Sequence, residues 1–298
     1  MGVSVSDEQL LDIEHTIRRC IAERTFDGLD IKGFGEIGVA IGVPTGAATA
    51  VVKRLPSSTD RRSLEDWFAY VARYEAAIAP HVTLAPTEQR ILDTGDGRWA
   101  AYLVQPCYPA EQLTENILAA EEPEAGHPLV VAVRDAALSA VTDGRQAIDP
   151  QFSNFVWHDD ELTLIDTGSP FLYHADGSPD YDMGAYAESL PAVLRPLTQK
   201  LAEKVVADVG TPSGNLALSA LSIVRLDQER WLDDVLTTFN ERLDDPIDRA
   251  AVMGRFDELH GEMQRIKKIT RVQRFWVERI RRGQYEFFIT DSFTGELI

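Results

Sequence analysis

Cysteine is scarce in these 298 residues: Cys20 and Cys107 are the only two. Two thiols supply neither a disulfide framework nor a metal-binding spacing, and they suit a reducing compartment, the cytoplasm. Long apolar runs are lacking, and none would cross a bilayer. Asp7, Glu8, Asp12 and Glu14 interrupt the first helical pattern, unlike the unbroken apolar stretch of a secretory signal. Met1, Gly2 and Ser6 satisfy the minimal myristoylation pattern, which is short enough to arise by chance. No internal repeat or low-complexity tract runs through the chain. Positive charge is short as well, with 29 Lys and Arg against 48 Asp and Glu for a net −19. A field of that sign repels polyphosphate and anionic headgroups, which argues against nucleic-acid and membrane partners. It serves solubility, and it would also draw in a cationic small molecule.

Apolar residues make up 44% of the chain, enough for a substantial core, and the length favours two lobes over one. Ser6 with Gln9 reads as a capping box opening a helix along Leu10, Ile13, Ile17 and Ile21. Residues 29–35, 39–43 and 47–55 then read as short antiparallel strands broken by glycines and the Pro44-Thr45-Gly46 turn. Helical periodicity returns over 62–79 and ends at Pro80. A hairpin of 89–92 and 99–104 turns at Thr94-Gly95-Asp96-Gly97, and Pro106 to Pro109 marks a hinge-like break. Beyond it come a buried helix over 129–141, two short strands around 154–157 and 162–165, and a mainly helical remainder after about Met183.

Gly33, Gly35 and Gly38 form a G-x-G-x-x-G pattern. A dinucleotide fingerprint would open a helix, whereas this pattern runs into a strand closed by Pro44. Lys53 follows in the apolar run Ala50-Val51-Val52. Among the acids of the next helix, Glu65 and Asp66 sit in its first turn, where the helix dipole accounts for them; Glu75 lies deep in the helix. Further on, Asp149-Pro-Gln-Phe-Ser-Asn154 precedes a hairpin and then Leu164-Ile165-Asp166-Thr167-Gly168.

This set resembles the catalytic core of the protein-kinase-like superfamily, closest in style to the aminoglycoside phosphotransferases and other small-molecule kinases. Its spacing is specific over 146–168, fair over 33–75 and architectural elsewhere. The resemblance implies an α+β, bilobal fold: a small antiparallel β-sheet lobe with one helix and a leading helix over 1–106, then a larger, mainly helical lobe over 107–298. It implies ATP and Mg²⁺, with Gly33, Gly35 and Gly38 over the phosphates, Lys53 on the α- and β-phosphates, Glu75 holding Lys53, and Gln105 in the nucleotide-binding set. Asp149 would orient and deprotonate a small-molecule hydroxyl, and Asn154 and Asp166 would ligate magnesium.

The departures are Ala147 in place of the usual histidine, Ile148 in place of arginine, Gln151 in place of lysine and Thr167 in place of phenylalanine. Without the arginine and lysine, a protein Ser/Thr kinase is disfavoured. Two rivals remain: a pseudokinase that binds without transferring, and an enzyme that transfers AMP. His158, Asp159, Asp160 and Glu161 read as a solvated hairpin turn, because consecutive residues cannot all converge on one ion. His174, Asp176, Asp180 and Asp182 fit either a cationic acceptor's binding loop or a plain acidic loop. The basic stretch from Arg265 to Arg282 reads as a helix that packs Ile269, Val272, Trp276 and Ile280 inward and pairs its charges with the acidic remainder.

Overall fold

The computed structural model describes residues 5–34, 39–180, 206–283 and 285, except for the side chains of 262–267, 269 and 270. In chain order the elements are α1 (Asp7–Glu23), β1 (Ile31–Phe34), β2 (Val39–Val43), β3 (Ala50–Ser58), α2 (Arg61–Ile78), β4 (Thr83–Leu84), β5 (Glu88–Asp93) and β6 (Trp99–Pro106). They continue with α3 (Thr114–Ala120), α4 (Pro128–Val141), β7 (Gln146–Ala147), β8 (Phe155–His158), β9 (Glu161–Leu164), β10 (Phe171–Leu172), α5 (Pro212–Arg225), α6 (Leu232–Asn240) and α7 (Arg249–Phe275). The fold is α+β. Two compact units comprise Met1–Phe68 with Pro86–Cys107 and His260–Ile298, and Ala69–Ala85 with Tyr108–Leu259. The compact units interleave along the chain, since α2 and α7 each lend one end to either unit.

In the first unit, a five-stranded antiparallel sheet runs β1-β2-β3-β6-β5. Its two faces follow from strand alternation. Ala50 and Val52 of β3, with Tyr102 and Val104 of β6, pack against Leu10, Ile17 and Ile21 of α1. Leu55, Ala101 and Leu103 pack against Leu64 and Phe68 of α2 on the opposite face. The expected capping box opens α1: Ser6 Oγ accepts from the Gln9 amide at 3.2 Å, and Gln9 Oε1 accepts from the Ser6 amide at 2.9 Å.

One charge is buried between α1 and the sheet. Glu14, 1% exposed, accepts Arg54 Nε at 2.8 Å and Nη2 at 2.7 Å, Arg18 Nε at 2.8 Å and the Tyr102 hydroxyl at 2.5 Å. Burial alone would push this carboxyl up. The bidentate Arg54 contact outweighs it, with help from Tyr102 and Arg18, and holds Glu14 down at about 2.

The end of α7 corrects the expected inward stripe. Val272, Trp276 and Ile280 are exposed, while Gln273 and Arg274 are buried; the side chain of Ile269 lies outside the described residues. The reason is a helix end. The Ile21 carbonyl sits in the last turn of α1, where acceptors lack intrahelical partners, and Arg274 Nη2 donates to it. Arg274 also lies over the Tyr285 ring and bonds Glu278 at 2.7 Å. Turning the guanidinium inward turns the apolar stripe out.

The second unit is built on one apolar core of α4, α5, α6 and the β8–β9 hairpin, with Phe152, Phe155 and Trp231 among its large members. Its hairpin turns on Asp159 and Asp160 at φ 51° and 60°, the left-handed pair that a tight turn demands and aspartate tolerates. Residues His158 to Glu161 are exposed there, as a solvated turn requires.

The ionised Glu14 stabilises the fold fully above its ordinary 4.5, and that contribution is lost as pH falls through about 2. Its size is about 3 kcal/mol. Urea unfolding should therefore show the wild type losing stability between pH 4.5 and 2 more steeply than Glu14→Gln. At pH 7 the variant should be weaker by about 3 kcal/mol, because Arg54 is left buried without its counter-charge. Equal stabilities at pH 7 would contradict this account.

Candidate functional site

The segment from Ile148 to Asn154 is a loop buried along most of its length. It leaves β7, which pairs with β10, and closes in a 3-10 turn, Phe152–Asn154, that feeds β8. In the hairpin Phe155 opposes Leu164, and the Ile165 amide donates to the Asn154 carbonyl at 2.8 Å. That extra rung brings Asn154 and Asp166 out at the same end of the hairpin. Asn154 is 9% and Asp149 6% exposed, and Asn154 Nδ2 reaches the Asp149 carbonyl at 3.4 Å. Asp166 Oδ1 accepts from the Gly168 amide at 2.9 Å, a turn that fixes the carboxylate's orientation. A Cβ at Gly168 would stand 3.0 Å from that oxygen.

Glu75 and Thr167 tie α2 to this segment: Thr167 Oγ1 donates to Glu75 Oε1 at 2.8 Å. Neighbouring Tyr74 is wholly buried. Burial, then the nearby Asp149 and Asp166 carboxylates, pushes its phenol well above the usual range, so it stays protonated at any ordinary pH.

The residues that hold the loop escaped the sequence reading. On α5, Asn215 Nδ2 donates to the Ile148 carbonyl at 2.9 Å, Ser222 Oγ accepts from the Phe152 amide at 3.0 Å, and Arg225 Nη1 donates to Gln151 Oε1 at 2.8 Å. Gln151 Nε2 in turn lies 3.0 Å from each Asp149 carboxylate oxygen. From α3, Thr114 Oγ1 donates to the Phe152 carbonyl. Asn215, Ser222 and Arg225 fall on one helical face, and Asn215 and Ser222 are buried beside Leu216, Ile223 and Val224. Polar side chains recurring on one face of an otherwise apolar helix were the available signal.

The remaining candidates lie in the first unit. Lys53 is on β3 between Ala40 and Leu103 in register, on the sheet face opposite α1. Gly33 is on β1 opposite Ala40, after a register shift; Gly35 and Gly38 lie outside the described residues. Gln105 is buried on β6, and its Nε2 donates to Thr87 Oγ1 at 2.9 Å. Lys53 thus belongs to one unit and Glu75 to the other.

The acidic loop finds partners within itself and on α2. Asp176 Oδ1 accepts from the Ser178 amide at 3.0 Å and the Ser178 hydroxyl at 2.6 Å, and Asp180 Oδ2 pairs with Arg73 at 2.7 Å. His174 lies 3.8 Å from Asp180, and Asp182 lies outside the described residues. These contacts favour the plain acidic loop.

A model of a family of unknown function, DUF6206, matches residues 12–274. The chain belongs to DUF6206. The matched span contains Lys53, Glu75, Asp149, Asn154 and Asp166, and also the loop-holding Asn215, Ser222 and Arg225 of α5. A search of curated proteins found no match.

If α5 holds this DUF6206 loop, Asn215→Leu strands the Ile148 and Val209 carbonyls that Asn215 now satisfies. Urea unfolding should show a loss of about 1–3 kcal/mol per stranded carbonyl with the denaturant slope unchanged. A neutral substitution would mean the loop is held elsewhere.

Proposed function

We propose that this chain is an ATP-dependent phosphotransferase that moves the γ-phosphate of ATP to a hydroxyl of a small molecule, an antibiotic or other metabolite, in the cytoplasm. The proposal takes the two units as the lobes of a bilobal, protein-kinase-like fold. The observation that carries it is the pinned Asp149 loop, with Asn154 and Asp166 leaving one end of the β8–β9 hairpin. Phosphoryl transfer asks the protein for position and charge more than for covalent chemistry.

In this reading Asp149 aligns the acceptor hydroxyl and takes its proton as the new O–P bond forms. The β–γ bridge breaks, and ADP leaves with the electron pair. Asn154 and Asp166 offer oxygen donors, the kind a hard cation such as Mg²⁺ prefers, and they are the residues that would hold it. Bound there, magnesium would neutralise charge on the phosphates. The kinase-like resemblance would assign Lys53 to the α- and β-phosphates and Gly33 and Gln105 to the nucleotide. An excess of acidic groups favours a cationic acceptor and disfavours nucleic acid and membranes.

A second reading, a kinase-like protein that binds nucleotide without transfer, draws on Gln151, whose amide faces both oxygens of Asp149, and on Ala147 and Ile148. Calorimetric titration with ATP, with and without magnesium, separates the readings when followed by an assay for ADP. We expect magnesium-dependent binding that Asp166→Ala abolishes, and ADP release that Asp149→Asn slows by about a hundredfold or more. Binding without ADP would favour the second reading. Mass spectrometry of the acceptor distinguishes an added phosphate from an added adenylate, and absence of ATP binding by the wild type contradicts both nucleotide readings.

A further inference from the structure

The outward turn of α7 leaves a surface whose chemistry differs from that of the chain as a whole. Val272, Phe275, Trp276 and Ile280 are each more than half exposed. Helical spacing sets Val272, Phe275 and Trp276 on one side of the helix, and the π-helical turn that continues it, Trp276–Ile280, carries Ile280 one turn further. Lys268, Arg271, Arg279, Arg281 and Arg282 stand exposed among them. From Lys268 to Arg282 the sequence holds one acid, Glu278, and it is bonded to Arg274 at 2.7 Å. Arg274 also donates to the Ile21 carbonyl and lies over the Tyr285 ring, so the helix end is held by its buried side and presents the opposite one. Six cations against one acid in these fifteen residues reverse, locally, the sign of a chain that carries −19.

We propose that this end of α7 is a docking surface for an anionic phospholipid bilayer, an inference independent of the phosphotransferase reading. Single exposed apolar residues are ordinary on a protein surface, but a contiguous aromatic and aliphatic set among charges marks an interaction site. The charge points to an anionic partner, and the interleaving of charge with apolar groups points to lipid. Lysine and arginine lay their stems along apolar surface and carry their heads to the phosphates, while tryptophan favours the depth between headgroup and acyl chain. A protein partner would have to set a carboxylate against each interleaved cation around an apolar centre, where interfaces are poor in charge. A layer of anionic headgroups supplies negative charge at every position. The net acidity that disfavours membranes acts on the molecule from afar and is screened beyond about 8 Å at physiological salt. At contact, the charges of the helix end face the headgroups. One patch of this kind binds reversibly, with a steep dependence on salt and on the fraction of anionic lipid.

The full-length chain is tested on vesicles of phosphatidylcholine alone and of phosphatidylcholine with an equal part of phosphatidylglycerol. Co-sedimentation should retain the protein on the mixed vesicles at low salt, release it at about 0.5 M salt, and show none on phosphatidylcholine. Brominated acyl chains should quench tryptophan fluorescence; the chain has five tryptophans, and Trp276→Phe should lose most of the quenching while still binding. Arg271→Gln/Arg279→Gln/Arg282→Gln should lower the partition coefficient about fivefold for each charge removed, and Val272→Ser/Ile280→Ser should lower it about tenfold. All these positions are exposed, circular dichroism checks that each variant is folded, and either set decides if the other is not.

No retention on the mixed vesicles, or retention that neither set of substitutions changes, overturns the proposal. Retention without bromine quenching, matched by binding to soluble polyglutamate, overturns it in favour of an acidic protein partner. Self-association in sedimentation velocity that both sets abolish, with no retention on vesicles, overturns it in favour of a second copy of the chain.

Discussion

A loop buried in a protein interior must find a partner for each backbone N–H and C=O it takes out of water, at a cost of kilocalories for every failure. The segment from Ile148 to Asn154 meets that constraint with side chains, because it belongs to no sheet of any length. Asn215 and Ser222 of α5 and Thr114 of α3 supply the missing partners. The position of Asp149, the entry into β8 and the pairing of Asn154 with Ile165 follow from where those side chains stand. α5 can do this because its other residues, Leu216, Ala220, Ile223 and Val224, anchor it in the core. An apolar helix carrying a polar face is a rigid ruler for a loop that has no ladder of its own.

The first unit uses the same logic with charge. Glu14 is as deeply buried as any leucine of α1, and it is tolerable only because Arg54, Arg18 and Tyr102 meet it with matched donors. A buried ion pair adds less net stability than its Coulomb energy suggests, but its geometry fixes α1 on the sheet in one register. Arg54 points toward α1 while Lys53, its neighbour, points to the opposite face. The contact that seats α1 therefore also sets which face of the sheet receives the lysine.

Much of the fold was legible in residue patterns with strong periods or obligatory chemistry. The Ser6 to Gln9 capping box, α2 ending before Pro80, the β5–β6 hairpin and the Asp159-Asp160 turn each announce themselves locally. The two-residue strands β4, β7 and β10 did not, because two residues carry no period. The stripe of Val272, Trp276 and Ile280 was read as a face and assigned to the wrong side. Periodicity says which residues share a face, while a single capping arginine, Arg274 at the end of α1, decided which face turned inward. At the site, the spacing of Asp149, Asn154 and Asp166 was visible, but its supports were not. Asn215, Ser222 and Arg225 lie some sixty residues or more further along the chain, and nothing in their spacing points back to the loop.

The account stands or falls on whether nucleotide and metal meet at the open end of the β8–β9 hairpin. Paramagnetic broadening of backbone amide signals by Mn²⁺, recorded on the full-length chain with and without ATP, reads that location directly. The account predicts that Asn154, Phe155 and residues Ile165 to Gly168 lose their signals when Mn²⁺ and ATP are present together. Broadening confined to other segments under the same conditions, or none at all, would contradict it.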